Sequence, residues 1–231
     1  MLGRVVSEPV SEHVRAYHES LGTTVHTGCQ VTGLRVDGGR VRAVAAGDRV
    51  VPADLVLVGI GADPRLDLVA ELGLAAGRGV ETGADGATAH PRLVAAGDCA
   101  FQPHPHRAGE RMCIESVNNA VEQGQAAACA LLGREPKKRG VPWFWSNQGE
   151  LKLQIAGISD GHDRIVVRRG NGAAGTGRIS VLYYRAGRLI AGDTVDNPRD
   201  FMAVKKALAQ GRTIPPDAAA EPDVALKTLI E

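Results

Sequence analysis

The sequence is poor in aromatic side chains, in cysteine, in net charge and in long apolar runs, and each shortage removes a class of function. Its 231 residues include three Phe, two Trp and three Tyr. A net charge of +1 gives no reason to expect nucleic acid or an acidic membrane surface as the main partner. The densest basic run, Lys137-Lys138-Arg139, reads as a solvated linker. No stretch approaches the roughly 18 apolar residues of a membrane span, and nothing after Met1-Leu2-Gly3-Arg4 resembles a signal peptide. Cys29, Cys99, Cys113 and Cys129 form no Cys-x-x-Cys pair and have no histidine at zinc-finger spacing, so neither a zinc site nor a redox dithiol is supported. Reduced, mostly buried thiols in a cytoplasmic protein are the expectation. The His-x-His pair His104 and His106 lies in a Pro-rich loop, and with His90 it shows no carboxylate pattern, so no metal site is expected.

What is present is ordinary for a globular chain: 44% hydrophobic and 23% charged residues, enough for one large domain or two modest ones. Residues 9–21 read as a helix, with Pro9 in its first turn, Ser11 as a cap and Gly22 as its end. Val14, Tyr17, His18 and Leu21 share one face. Short β-type runs follow at 24–31, 34–36, 41–45 and 49–51. Asp37-Gly38 and Gly47-Asp48 turn between some of them, which implies a small antiparallel meander. Residues 53–61 form a near-continuous apolar run ending in Gly59-Ile60-Gly61, the pattern of a buried parallel strand opening onto a ligand crevice. Residues 64–72 read as a short helix and 93–98 as a second buried strand, ending in Gly97-Asp98. A strong helix is expected over 118–132, closed by Gly133. The Pro/Lys/Gly linker 134–141 divides the chain. Beyond it, 151–158, 164–168, 179–185 and 189–194 look like antiparallel strands. Residues 199–210 look like a helix with Phe201, Val204 and Leu208 on one side. Residues 170–177 read as a mobile Gly/Ala loop.

Three segments carry candidate chemistry. A strand ending in Gly97-Asp98 puts a carboxylate where it can accept hydrogen bonds from sugar or ribityl hydroxyls, or else cap the next helix. Glu115-Ser116-Val117 opens a helix whose free N–H groups suit a partly negative ligand atom, or simply form an N-cap. Trp143 and Trp145 put both tryptophans into one heptapeptide, as a wall beside a ring or as core filling between domains. Gly59 and Gly61 permit a dinucleotide to approach the backbone, though a tight turn after a strand needs glycine anyway.

Taken in order, ADLVLVGIGADP (53–64), LVAAGDCA (93–100), RMCIESVNNAVEQGQAAACALLG (111–133), VPWFWSNQGELKLQIAG (141–157), DNPRDFMAVKKAL (196–208) and DVALKTLI (223–230) resemble one family over essentially the whole chain. It is the putidaredoxin reductase-like ferredoxin reductases, FAD-dependent pyridine nucleotide oxidoreductases that serve aromatic-ring dioxygenases and cytochrome-type monooxygenases. The GDCA string is shared with many flavoprotein disulfide reductases; ESVNNAVEQG and PWFWSNQ are far more specific.

The resemblance implies an α/β fold: an incomplete FAD/NAD(P)-binding, Rossmann-like region over 1–135, then a smaller α+β reductase C-terminal domain over 140–231. It implies that Asp98 hydrogen-bonds the FAD ribityl chain and that Ser116 and Val117 sit under the flavin pyrimidine. Trp143 and Trp145 would stand beside the isoalloxazine, where electrons leave for a ferredoxin-type iron–sulfur protein. Gly59 and Gly61 would border the nicotinamide nucleotide, with Glu115 near the nicotinamide of NAD(P)H. The family chemistry is hydride transfer from NAD(P)H to flavin, then single-electron delivery to the iron–sulfur protein.

The sequence also departs from the family. The glycine fingerprints that bind the FAD diphosphate and NAD(P)H fall before the point that Met1 matches. Arg65 replaces a usual Asn, and Thr88-Ala89-His90-Pro91 loosens a usual Thr-Ser-x-Pro. Two functions therefore stand as expectations. One is a reductase region completed upstream or by another chain. The other is a non-catalytic remnant or partner-binding module lacking flavin. A disulfide reductase relative is a weaker third, because no glutathione-reductase-type dimerisation domain follows GDCA.

Overall fold

The computed structural model describes residues 1–3, 5–170 and 175–231. Helix α1 (Glu8–Ser20) leads into an antiparallel meander of β1 (Val31–Asp37), β2 (Arg40–Ala46) and β3 (Arg49–Pro52). A short helix α2 (Asp67–Ala70) precedes a small sheet of β4 (Ala75–Ala76), β5 (Gly79–Glu81), β6 (Ala100–Pro103) and β7 (Arg111–Met112), in which β5 and β6 pair in parallel. Helix α3 (Val117–Leu131) follows. The C-terminal half is a five-stranded antiparallel sheet, β8 (Trp143–Gln148), β9 (Leu151–Gly157), β10 (Arg164–Arg169), β11 (Ile179–Arg185) and β12 (Arg188–Val195), in the order β10-β11-β12-β9-β8. Helices α4 (Pro198–Ala209) and α5 (Pro216–Ala219) and a 3₁₀ turn (Leu226–Thr228) complete it. The α/β class followed by an α+β C-terminal part is thus the observed one.

The core sits on both faces of this C-terminal sheet. Residues alternate across a strand. Ile179, Val181 and Tyr183 of β11 join Leu151, Leu153 and Val195 beneath Val6, Val10 and Val14 of the α1 segment. Leu182 and Tyr184 face the other way, against Phe201, Val204 and Ala207 of α4, with Ile214 and Leu226. Every residue of β11 except Arg185 is consequently buried. Helix α1 therefore packs on the C-terminal sheet although the linker separates the two in sequence. Buried Arg168 fastens the tail: its guanidinium donates to Asp200 Oδ2 at 3.2 Å and to the carbonyls of Ala219, Glu221, Pro222 and Val224.

Several expectations are corrected. The cap of α1 is at Ser7, while Ser11 lies inside the helix and its hydroxyl donates to the Met1 carbonyl. Leu21 is exposed rather than on the buried face. Residues 24–30 form no strand; the meander starts at Val31. Residues 53–61 form neither strand nor helix, and Leu57 is 95% exposed. A parallel strand exists only through bonds to neighbouring strands, and among the described residues none lies beside this segment. Residues 93–98 are likewise not a strand: Val94 makes an isolated bridge with Ala87, and Ala95 N–H donates to Gly86 O at 2.9 Å. Lys137 and Lys138 are solvated, but Arg139 turns inward onto buried side chains. All four cysteines are free, with Cys29 exposed and the others half-buried rather than buried. Half of the loop expected at 170–177, residues 171–174, lies outside the described residues. Its Gly170-Asn171-Gly172-Ala173-Ala174-Gly175 string has dinucleotide-fingerprint spacing but joins two antiparallel strands, not a strand to a helix. No helix among the described residues is long and apolar enough to cross a membrane.

Asp193 of β12 is fully buried, sharing the Tyr183 hydroxyl with Ser7. Burial pushes its carboxyl from the usual carboxylate range up to about 7, against the lowering effect of the Tyr183 hydrogen bond. The neutral form is therefore favoured by folding. The stability it contributes is complete below about pH 4 and is lost as pH rises to about 7, by at most ~1.4 kcal/mol per pH unit. Urea denaturation of wild type and Asp193→Asn at pH 5 and pH 8 reads this directly. Wild type should lose stability relative to the variant by a few kcal/mol between the two, and an unchanged difference would show that the carboxyl is not held neutral.

Candidate functional site

A cleft of about 580 Å³ runs between the α/β part and the C-terminal sheet, lined by Asp98, Cys113, Glu115 and Ser116 on one side and Trp143, Phe144, Ser159 and Asp160 on the other. Its first wall is a pair of turns. Gly97 has φ +82°, a conformation that glycine adopts without a Cβ penalty, and Ala100 N–H closes the turn onto Gly97 O at 3.0 Å. This turn presents the exposed Asp98 carboxylate to the cleft. Gly79 lies behind it: a Cβ there would come within 2.4 Å of Cys99 O, so glycine permits β5 to pass.

The second turn is the start of α3. Ser116 is extended (φ −156°, ψ 148°) and its hydroxyl accepts from Asn119 N–H at 3.1 Å. Val117 and Asn118 occupy the first positions of the helix, whose N–H groups have no intrahelical acceptor. Helix start and Asp98 turn are tied through buried amides. Gln123 Oε1 accepts from Gly97 N–H at 2.9 Å and from Asn119 Nδ2 at 3.3 Å.

The opposite wall is β8. Trp143 and Trp145 are two residues apart and so project on one side of the strand; their rings are 5.3 Å apart. Trp143 also meets Phe201 at 6.0 Å and carries Lys205 Nζ 4.5 Å over its ring, a cation–π arrangement. At the cleft's end, Asp160 Oδ2 accepts from Arg107 Nη1 at 2.7 Å and lies 3.6 Å from His104 Nε2. This braces the 103–110 loop against the C-terminal domain. Burial lowers the pKa of His104, partly offset by Asp160, and lowers that of His106 as well. Burial raises the Cys113 thiol, with Glu115 adding and Arg78 opposing, so it stands as a protonated thiol rather than a nucleophile.

Of the residues singled out in the sequence, the structure brings Asp98, Glu115, Ser116 and Trp143 to one cleft. Val117 adjoins it, exposed, and Trp145 stacks on Trp143 just outside. Gly59 and Gly61 lie apart, in the unpaired segment 53–61. Sequence reasoning missed Ser159 and Asp160, whose only signal was a polar step at the end of β9, and the amides Gln102, Asn119 and Gln123. The Asn119–Gln123 spacing of four on one helix face was the available signal for that network. Among the described residues no group of three or more His, Cys, Asp or Glu could hold a metal.

Comparison with known proteins places this geometry. Residues 1–124 match the profile described as pyridine nucleotide-disulphide oxidoreductase, and residues 143–230 match the one described as reductase C-terminal. The chain is similar to putidaredoxin reductase of Pseudomonas putida, 36% identical over 100% of this chain and 54% of the relative. It is similar to rhodocoxin reductase of Rhodococcus erythropolis, 37% identical over 99% of this chain and 53% of the relative. In structure it resembles the reductase of the covalent putidaredoxin reductase–putidaredoxin complex, with a TM-score of 0.90, 35% identity, 99% of this chain and 54% of that one covered. The chain spans about half the length of the curated relatives it matches.

The helix start is the part of the site most directly open to test. Ser116→Ala removes the acceptor for Asn119 N–H and should cost about 0.5–2 kcal/mol, read as a lower thermal midpoint by circular dichroism. Ser116→Asp, which keeps a capping oxygen, should recover most of it; equal midpoints for Ser, Ala and Asp would contradict the cap.

Proposed function

Because the chain belongs to the pyridine nucleotide-disulphide oxidoreductase family and carries its reductase C-terminal domain, we propose that it forms the flavin-flanking and acceptor-facing part of an NAD(P)H:ferredoxin oxidoreductase. Residues 1–135 belong, in this reading, to the nucleotide-binding region and 140–231 to the domain facing a ferredoxin-type iron–sulfur protein. A cytoplasmic setting fits four free thiols. The observation that carries the reading is the cleft itself, where a carboxylate, a helix start and an indole from three separate segments converge.

The donor set fits part of FAD. When bound, the flavin supplies hydride acceptance from NAD(P)H and one-electron release. Asp98 would accept hydrogen bonds from ribityl hydroxyls. The N–H groups at the start of α3 would face the negative charge that develops at the pyrimidine edge. Trp143 and Phe144 would keep water from the ring, and Glu115 would lie toward the nicotinamide. Trp145, next to Trp143 and at the surface, would face the iron–sulfur protein. Gly59 and Gly61 would border the nicotinamide nucleotide once residues 53–61 are paired. The diphosphate, which carries most of the ligand's charge, finds no matching glycine-loop and helix start among the described residues.

One observation favours a second reading, a partner-binding module without flavin. The C-terminal sheet is covered on both faces, whereas Leu55, Leu57 and Ile60 stand exposed with no strand beside them among the described residues. The two readings separate on flavin. The 231-residue polypeptide alone should hold little FAD, because a few ribityl and pyrimidine bonds worth about 0.5–3 kcal/mol each must offset roughly 4–15 kcal/mol of lost ligand freedom. Fused to the N-terminal nucleotide-binding region of a relative, it should turn yellow with near-equimolar FAD and reduce an artificial acceptor with NADH or NADPH. Asp98→Asn in that fusion should weaken flavin retention. A fusion that folds but stays colourless would leave the binding-module reading, and a yellow, active 231-residue chain would overturn the division of the site.

A further inference from the structure

We propose that Arg139 is a positioning residue that holds the Trp143 wall of the cleft against the Gly97–Asp98 turn and the Ser116 helix start. The proposal deepens the reading of this cleft as a ligand site and rests on it, but its test needs no ligand. Arg139 ends the basic linker run, yet unlike Lys137 and Lys138 it is half-buried. Its guanidinium donates to three oxygens of the α/β part: Gln102 Oε1 at 2.5 Å, Ala84 O at 3.1 Å, and Asn119 Oδ1. Gln102 and Asn119 are 2% exposed. Such a planar fork suits several oxygens held at fixed angles, which an ammonium does not match.

The chain of bonds runs both ways from this point. Toward the first wall, Asn119 Nδ2 donates to Gln123 Oε1, which accepts Gly97 N–H beside Asp98, and Asn119 N–H is the group capped by Ser116. Toward the second wall, the next residue is fastened as well: Gly140 N–H donates to Glu122 Oε2 at 2.9 Å, and Glu122 Oε1 accepts from Asn118 Nδ2 at 3.1 Å. Only Gly140, Val141 and Pro142 then separate Arg139 from Trp143, and Pro142 O accepts from Gly157 N–H at 2.8 Å on entry to the sheet.

The arginine is not what holds the α/β part together. Gln102 Nε2 donates to Asn119 Oδ1 at 3.3 Å and Gln123 Nε2 to Gln102 Oε1 at 3.4 Å without it. Removing the guanidinium leaves those bonds and takes away three of the bonds that tie the linker to the α/β part, with Gly140 N–H to Glu122 Oε2 remaining. The effect is therefore local to residues 139–145, where both tryptophans of the chain report on it.

The test compares wild type, Arg139→Met and Arg139→Lys in the full chain, with no ligand added. In Arg139→Met, amide exchange at Gly140, whose N–H is bonded to Glu122, should rise on the order of tenfold, as for loss of a bond to a charged group. Tryptophan emission should shift to the red with greater acrylamide quenching. Exchange at Gly97 and Asn119 should stay near wild type. Lysine should restore part of the change. If Arg139→Met does not fold, Arg139→Lys is read alone, and an intermediate shift in the same local readouts supports the role. Exchange and emission equal to wild type in the folded variants overturn it, as does a uniform change across the whole chain. A wild-type cleft that takes no flavin in the fusion above would sink the cleft's reading and leave these outcomes standing.

Discussion

One side-chain amide, that of Gln123, sets the geometry on which the cleft depends. Its Oε1 receives Gly97 N–H from one turn and Asn119 Nδ2 from the helix start, and the Gln123 side chain itself is fully buried. Two turns that meet in space but lie about twenty residues apart in sequence are thereby fixed at one spacing. A buried amide left without partners is costly, and Gln102, Asn119 and Gln123 satisfy one another. Asp98 and Ser116 inherit their separation from it, and Arg139 extends it to the linker. The aromatic wall is then placed by the five-stranded sheet, which is packed on both faces.

The second physical constraint is an unmet one. Leu55, Leu57, Val58 and Ile60 are exposed in a row, next to a meander whose β1 is exposed along its full length. Contiguous apolar surface of this kind marks an interface, and unpaired backbone beside it invites a strand. In the proposed reading, a nucleotide-binding unit with parallel strands would bury the segment and bring Gly59 and Gly61 to its edge.

What the sequence revealed follows from where the physics is local. Helix α3 was legible from Ser116 to Gly133 because cap, period and C-terminal glycine all lie within the segment. Strands β9 to β12 and helix α4 were legible because antiparallel neighbours and an amphipathic face write themselves into short-range patterns. Residues 53–61 were misread because a parallel strand is a property of its neighbours, and apolar content records only the expectation of burial. The docking of α1 on the C-terminal sheet was invisible for the same reason; contacts of Ser7 with Tyr183 span 176 residues. Arg139 was misread because composition assigns a basic run to solvent, whereas its burial is decided by two amide oxygens from distant segments. The site residues Asp98, Ser116 and Trp143 came from specific motifs, and no local pattern alone would have put them in one cleft.

In the proposed reading this cleft, completed by a nucleotide-binding unit, receives the flavin. The most direct measurement is amide hydrogen exchange of the fusion with and without FAD. Bound FAD should concentrate protection at residues 97–99, at the α3 start over 116–118, and at 142–145, with the outer strand β10 unaffected. Protection absent from these three segments while FAD is bound elsewhere in the fusion would contradict it.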